Sequence, residues 1–231
     1  MTRPNWYSIS AKSAQNSAEV LIYDEIGIWG IDAQQFVTDL AALDVAHIDL
    51  RLNTPGGSVF DGNAIYNALK RHPASITSHI DGIAASMGSV IALAGDEVRM
   101  AANALYMIHN PWTLSMGDAA ELRATADILD KLRDGIVGAY QDKTGETAEV
   151  LQSAMDSETW FSAEEAKAFG FVDEITTTKK AKATASIKAA MARFKNAPDL
   201  PDAEPGAEDT NYQVALAAYR RRQQINEWEA K

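Results

Sequence analysis

Hydrophobic and polar positions change period repeatedly along the first 175 residues. Runs rich in β-branched and aromatic side chains, EVLIYDEI, HIDLRLN and SITSHIDG, each give way to a run with helical spacing, DAQQFVTDLAAL, FDGNAIYNALKRH and SMGSVIALAG. That alternation predicts βαβ units and a largely parallel sheet, an α/β fold. EVRMAA and ALYMIHN predict two further strands. One long helix is expected over residues 118–143, where Leu122, Ala126, Leu129, Leu132, Ile136 and Tyr140 recur as an apolar stripe for core or subunit contact. In the closing stretch DSETWFSAEEAKAFGFVDEI, Ser162 and Glu165 form a capping box in which each side chain satisfies a free backbone donor of the other. No internal repeat is present.

The pattern ends near Ile175. Residues 1–175 carry 11 basic and 25 acidic side chains, whereas residues 176–231 carry 10 basic and 7 acidic, so the chain divides into a folded unit and a charged C-terminal tail, helical or disordered in part. In that tail TTTKKAKATASIKAAMARFK suits a basic helix, NAPDLPDAEPGAEDTN a Pro-rich acidic linker, and YQVALAAYRRRQQINEWEAK a short terminal helix. The absence of cysteine excludes a disulfide framework, a thiolate nucleophile and Cys-ligated metal, and leaves oxygen or lysine as the possible nucleophile. A net charge of −11 disfavours nucleic acid and anionic membrane surfaces as partners. No apolar run approaches the roughly 20 residues needed to span a bilayer, and the N-terminus lacks a signal peptide's apolar segment. The expectation is a soluble, cytoplasmic protein.

Three small clusters carry candidate chemistry. Asn53-Thr54-Pro55-Gly56-Gly57 ends the strand HIDLRLN; two glycines after a proline free backbone N–H groups that can bind a developing oxyanion or simply shape a turn. The spacing fits neither a P-loop nor a dinucleotide fingerprint. Gly82-Ile83-Ala84-Ala85-Ser86-Met87-Gly88 is a strand-to-helix junction of small residues, similar to G-x-S-x-G with Ala84 in place of the first glycine. Ser86 there is either a helix N-cap or a nucleophile exposed at the positive end of a helix dipole, with the Met87 N–H beside it. His109 ends the strand ALYMI, where loops normally carry function, while His47, His72 and His79 lack such a context. A serine needs an imidazole to take its proton, and the imidazole needs a carboxylate to fix its tautomer. Asp96 lies ten residues past Ser86, at the far end of the same predicted helix, about 15 Å away. The acids of Asp156-Ser157-Glu158-Thr159-Trp160 return after the long helix, giving the order Ser, His, acid.

Taken together, LNTPGG, DGIAASMGS, YMIHNP and ETWFSAEEAKAFGFVDEI resemble, in the same order and over residues 19–175, the Clp protease proteolytic subunit family of the crotonase-like fold. YDEIGIWGIDAQQF, GNAIYNALKRH and MIHNPWT bring the chain nearest to the Clp-type head maturation proteases of tailed phages and prophages. The resemblance implies repeated β-β-α units with a long handle helix, matched by residues 118–143, and a homo-oligomeric ring. It implies a serine endopeptidase with Ser86 as nucleophile, His109 as general base, and Gly57 and Met87 as oxyanion-hole amides. Glu158 falls at the family's third position, which is usually an aspartate; Asp156 is the alternative, on the same face if the segment is extended. No metal or organic cofactor is implied. The substrates implied are peptides or proteins, phage capsid or scaffold proteins among them. MTRPNWYSISAKSAQNS does not match the N-terminal loops through which family members receive chains from an AAA+ ATPase. Two rival readings are a crotonase-type acyl-CoA enzyme, which has no need of a Ser and His pair, and a catalytically inert ring in phage head assembly.

Overall fold

The computed structural model describes residues 6–27, 33–177 and 190–198. Eight strands form one sheet among these residues, in the order β1-β2-β3-β4-β5-β8, with β6 joined to β4 and β7 to β6. The strands are β1 (Tyr7–Lys12), β2 (Ser17–Ile22), β3 (His47–Thr54), β4 (Ser75–Ala85), β5 (Glu97–Ala101), β6 (Leu105–Ile108), β7 (Thr159–Phe161) and β8 (Glu174–Thr176). The helices are α1 (Ala33–Ala41), α2 (Val59–Arg71), α3 (Met87–Ala92), α4 (Ala119–Thr144), α5 (Ala148–Asp156) and α6 (Ala163–Ala168). Contacts from β2 to β3, β3 to β4, and β4 to β5 and β6 are parallel, as the alternating pattern predicts. The two ends depart from it, since β1 pairs antiparallel with β2 and β7 antiparallel with β6.

The feature that shapes the molecule is a fork in β4. Its first half, Thr77 to Ile80, pairs with β5, while its second half, Ile83 to Ala85, pairs with β6. β3 runs along its other edge with a register shift between Leu52 and Thr54. Ile48, Leu50, Leu52, Ile76, Ile80 and Val98 are buried in the sheet, and α2 covers it with Gly62, Ile65, Ala68 and Leu69, a helical stripe behind an N-cap made by Ser58.

Helix α4 begins at the capping box Asp118/Glu121 and ends at Gly145 in the left-handed conformation (φ 74°). Its 26 residues span about 39 Å, but only Ile136, Val137 and Tyr140 are buried. Leu122 and Ile128 remain 44% and 52% exposed. The expected stripe is therefore divided, its C-terminal part core and its N-terminal part open. Tyr140 fixes the inner end: its hydroxyl donates to Ser89 Oγ (2.7 Å), which donates to the Ser86 carbonyl (2.5 Å), while Tyr106 donates to the Ser89 carbonyl (2.7 Å). Burial raises the Tyr140 and Tyr106 phenols well above their usual range, so both stay neutral donors. Tyr140→Phe removes one donor and leaves Ser89 bonded to Ser86, so a loss of about 1 kcal/mol is expected in chemical denaturation, against several for an orphaned buried group.

The capping box of Ser162 and Glu165 is present at α6. The expected boundary at Ile175 falls inside β8, which pairs with β5 through Thr176. Residues 178–189 of the expected basic helix and residues 199–231, with nearly all of the linker and the whole terminal helix, lie outside the described residues. Residues 190–198 pack back onto the sheet, Met191 being buried with Ile83, Ala85 and Met107.

Candidate active site

Parallel register brings three chain segments to one edge. The pair Thr54↔Ala84 sets Pro55-Gly56-Gly57 beside the end of β4. The pair Ala85↔Met107 and the bond from Ser86 N to the Met107 carbonyl (3.0 Å) set Ser86 beside the end of β6. Ligands in open α/β sheets bind beyond the carboxyl ends of the strands, which is where this edge lies.

Ser86 occupies the N-cap position of α3 but makes no cap bond with its side chain. Its backbone is at φ 54°, ψ −126°, a conformation that costs a residue with a side chain about 1–3 kcal/mol. The hydroxyl thus released meets His109 Nε2 at 2.8 Å. Of the two readings of this serine, cap or nucleophile, the first lacks its side-chain cap bond. Burial lowers the His109 pKa below its usual 6.5, and the negative charge of Glu158 opposes that shift. The ring is therefore neutral near pH 7, with Nε2 able to accept the Ser86 proton.

Gly56 lies under this corner. A β-carbon on it would fall 2.6 Å from the Ala85 carbonyl oxygen and 2.7 Å from Ser86 Cβ. Gly57 forms a parallel bridge with Ile26, while its own N–H engages no acceptor among the described residues. Met87 opens α3, so its N–H has no partner within the helix. Both expected oxyanion-hole amides are thus unspent donors, and Gly57, Ser86 and His109 line one cleft with Pro55, Val59 and Trp112.

The acids behave differently from one another. Ile108↔Thr159 is the last pair of the antiparallel β6–β7 ladder, and His109 and Glu158 each lie one residue beyond it. Yet the Glu158 carboxylate accepts from Lys195 N (2.8 Å), Asn196 N (2.6 Å) and Trp160 Nε1 (3.2 Å). Asp156 accepts from Asn110 Nδ2 (2.7 Å). The condition for these two acids to share a face, an extended segment, is not met: Asp156 is the last residue of α5 and Glu158 itself is left-handed at φ 47°. Asp96 binds the Ile76 amide (2.8 Å) at the start of β4, remote from Ser86 as expected. The other histidines have structural partners: His47 meets Ser75, His79 meets Asp49, and His72 accepts from the Ala74 amide. Arg193 and Phe194 also line the cleft. No local sequence signal points to them, because they reach it from more than 80 residues beyond His109.

Among the described residues, no group of three or more His, Asp or Glu is placed to hold a metal ion, and no helix is long and apolar enough to cross a membrane. A hydroxyl bonded to a neutral imidazole beside free amides is an arrangement for acyl transfer. Residues 3–179 match the Clp protease family. Three relatives called ATP-dependent Clp protease proteolytic subunit 1 agree with that match. That of Corynebacterium jeikeium is 36% identical over 135 residues, 58% of this chain and 72% of the relative. That of Chlamydia abortus is 38% identical over 128 residues, 54% and 67% of the two chains. That of Protochlamydia amoebophila is 34% identical over 128 residues, 54% and 62%. With that match over most of its length and a serine–histidine pair at the strand edge, the chain belongs to the Clp protease family and is a serine-type endopeptidase.

Proposed function

We propose that Ser86 attacks the substrate carbonyl, that His109 takes its proton and returns it to the leaving amine, and that the Gly57 and Met87 amides hold the oxyanion. Glu158 orients and charges against His109 once its carboxylate is free. The single observation carrying this reading is the 2.8 Å contact between Ser86 Oγ and His109 Nε2, made by a serine that does not cap its helix. Residues 1–175 act as the catalytic unit, and the open half of α4, with Leu122 and Ile128 exposed, packs against other copies in a ring. The relatives are ATP-dependent by name; the acyl-enzyme chemistry itself draws on no nucleotide, so small peptides are cleaved without ATP. The resemblance to head maturation proteases makes capsid and scaffold proteins the natural substrates.

The test is active-site labelling with a fluorophosphonate. Wild type is labelled, Ser86→Ala is not, and His109→Ala is labelled far more slowly. Labelling that persists in Ser86→Ala rejects the assignment. For the acid, Glu158→Gln lowers turnover more than Asp156→Asn, by about tenfold or more, since the negative charge of Glu158 acts on His109; the reverse order moves the role to Asp156.

The pH profile follows from the same imidazole. Only neutral His109 accepts the proton, and burial favours that form, so kcat/KM stays high as pH falls past 6.5 and declines only through the lowered pKa. An acid limb at or above 6.5 in a peptide assay contradicts this.

A further inference from the structure

The cleft is already occupied at one side by the chain's own residues 190–198, which lie beyond the family match ending at residue 179. Met191 is 3% exposed and sits among Ile83, Ala85 and Met107, the residues on either side of the β4–β6 junction that carries Ser86 and leads to His109. Phe194 stacks edge-on against the His109 ring (centroids 5.2 Å apart) and against Trp160 (5.8 Å). Arg193 pairs with Glu25 at 2.7 Å across the mouth. The backbone N–H groups of Lys195 and Asn196 both go to Glu158, and the Asn196 side chain donates to the Ser157 carbonyl (2.9 Å). Each part of this segment thus engages a different part of the site: an apolar side chain on the strand ends that carry the nucleophile and the base, an aromatic ring on the base, and two charge-assisted bonds on the acid.

From this we infer that residues 190–198 are a built-in inhibitory strap, which covers the Ser86–His109 cleft and holds Glu158 away from His109 until it is displaced. The inference rests on the catalytic roles given above. Arg193 and Phe194 border both hollows at His109, one of about 160 Å³ beside Ser86 and one of about 310 Å³ beside Glu158, so the strap narrows the path of a polypeptide past the nucleophile. Removing the strap does two things at once. It opens the cleft, and it frees the Glu158 carboxylate from its bonds to the Lys195 and Asn196 amides. The bonds involved are few and lie at the surface, so opening is a local event and does not require the sheet to unfold. An activating partner or substrate is then any polypeptide that competes for the seats of Met191 and Phe194, which selects for apolar side chains.

The test uses the full chain with two release variants, Met191→Ser/Phe194→Ser and Arg193→Glu, the second turning the pair with Glu25 into repulsion. Amide exchange at Lys195 and Asn196 is read alongside the rate of fluorophosphonate labelling. In wild type both amides exchange slowly; in the variants they exchange at least tenfold faster, and Ser86 is labelled at least tenfold faster. A synthetic peptide of residues 188–198 added to the variants slows labelling again. The inference is overturned if the wild-type amides exchange as in a free peptide, or if the variants release them without faster labelling. If the amides are protected in wild type and released in the variants, yet no form is labelled, the catalytic reading of Ser86 falls, and the inhibitory role falls with it.

Discussion

Ser86→Ala abolishes peptide hydrolysis and leaves the subunit as stable as wild type. The substitution removes one oxygen. Alanine carries the same β-carbon into the same backbone position at φ 54°, and no cap bond is lost because none is made. Stability therefore changes by less than about 1 kcal/mol. Activity depends on that oxygen, because no other hydroxyl is bonded to His109 among the described residues. Loss of a serine nucleophile costs about 10⁴- to 10⁶-fold in kcat, and adding His109→Ala costs little more because the two act as a unit. Peptidase assays and thermal unfolding of the single and double variants check this. A Ser86→Ala protein retaining a tenth of wild-type turnover rules it out.

The second large effect is structural. Gly56→Ala is expected to destabilise the fold by about 3–5 kcal/mol and to displace the nucleophile. Two costs combine there. The residue is at φ 92°, unfavourable for any side chain, and its β-carbon would press on the Ala85 oxygen, Ser86 Cβ and the Met87 nitrogen at 2.6, 2.7 and 2.9 Å. Gly145, after α4, separates the two costs: it has a similar φ of 74°, but a β-carbon there would meet nothing within 4 Å. Gly145→Ala therefore carries the conformational cost alone, about 1 kcal/mol. Denaturation of both variants measures the difference. Equal losses would mean that crowding beneath Ser86 contributes nothing. In whatever Gly56→Ala protein folds, a shift of about 1 Å at Ser86 lowers turnover about 100-fold.

Much of this is legible in the sequence, for identifiable reasons. β3, α2, β4 and α4 are long enough for their period to show, and Ser162 with Glu165 marks the start of α6 to the residue. Ser86 and His109 stand out because small residues and a strand end frame them, and the structure brings the two together. Other elements are not legible. β7 and β8 have three residues each, too few for a period to show. β1 and α5 lack a clear signal of their own; α5 is hidden between the long helix and the closing segment, so Asp156 reads as part of an extended run when it in fact ends a helix. The left-handed turn at Glu158 has no signature in its residue type. Its bonds to Lys195 and Asn196 join positions 37 and 38 residues apart, a distance over which no local pattern speaks.

The fork in β4 governs how this chain tolerates change. Nucleophile and base hang from neighbouring strands whose alignment is metered one peptide at a time. A single-residue insertion or deletion within β6 would turn the imidazole to the opposite face of the sheet. The loop after it, residues 111–117, is largely exposed, and β7 anchors the strand from its other side, so length can vary there with the spacing of the reacting atoms preserved. Changes of length are thus absorbed at the rim of the cleft, and the ruler that sets its chemistry stays fixed.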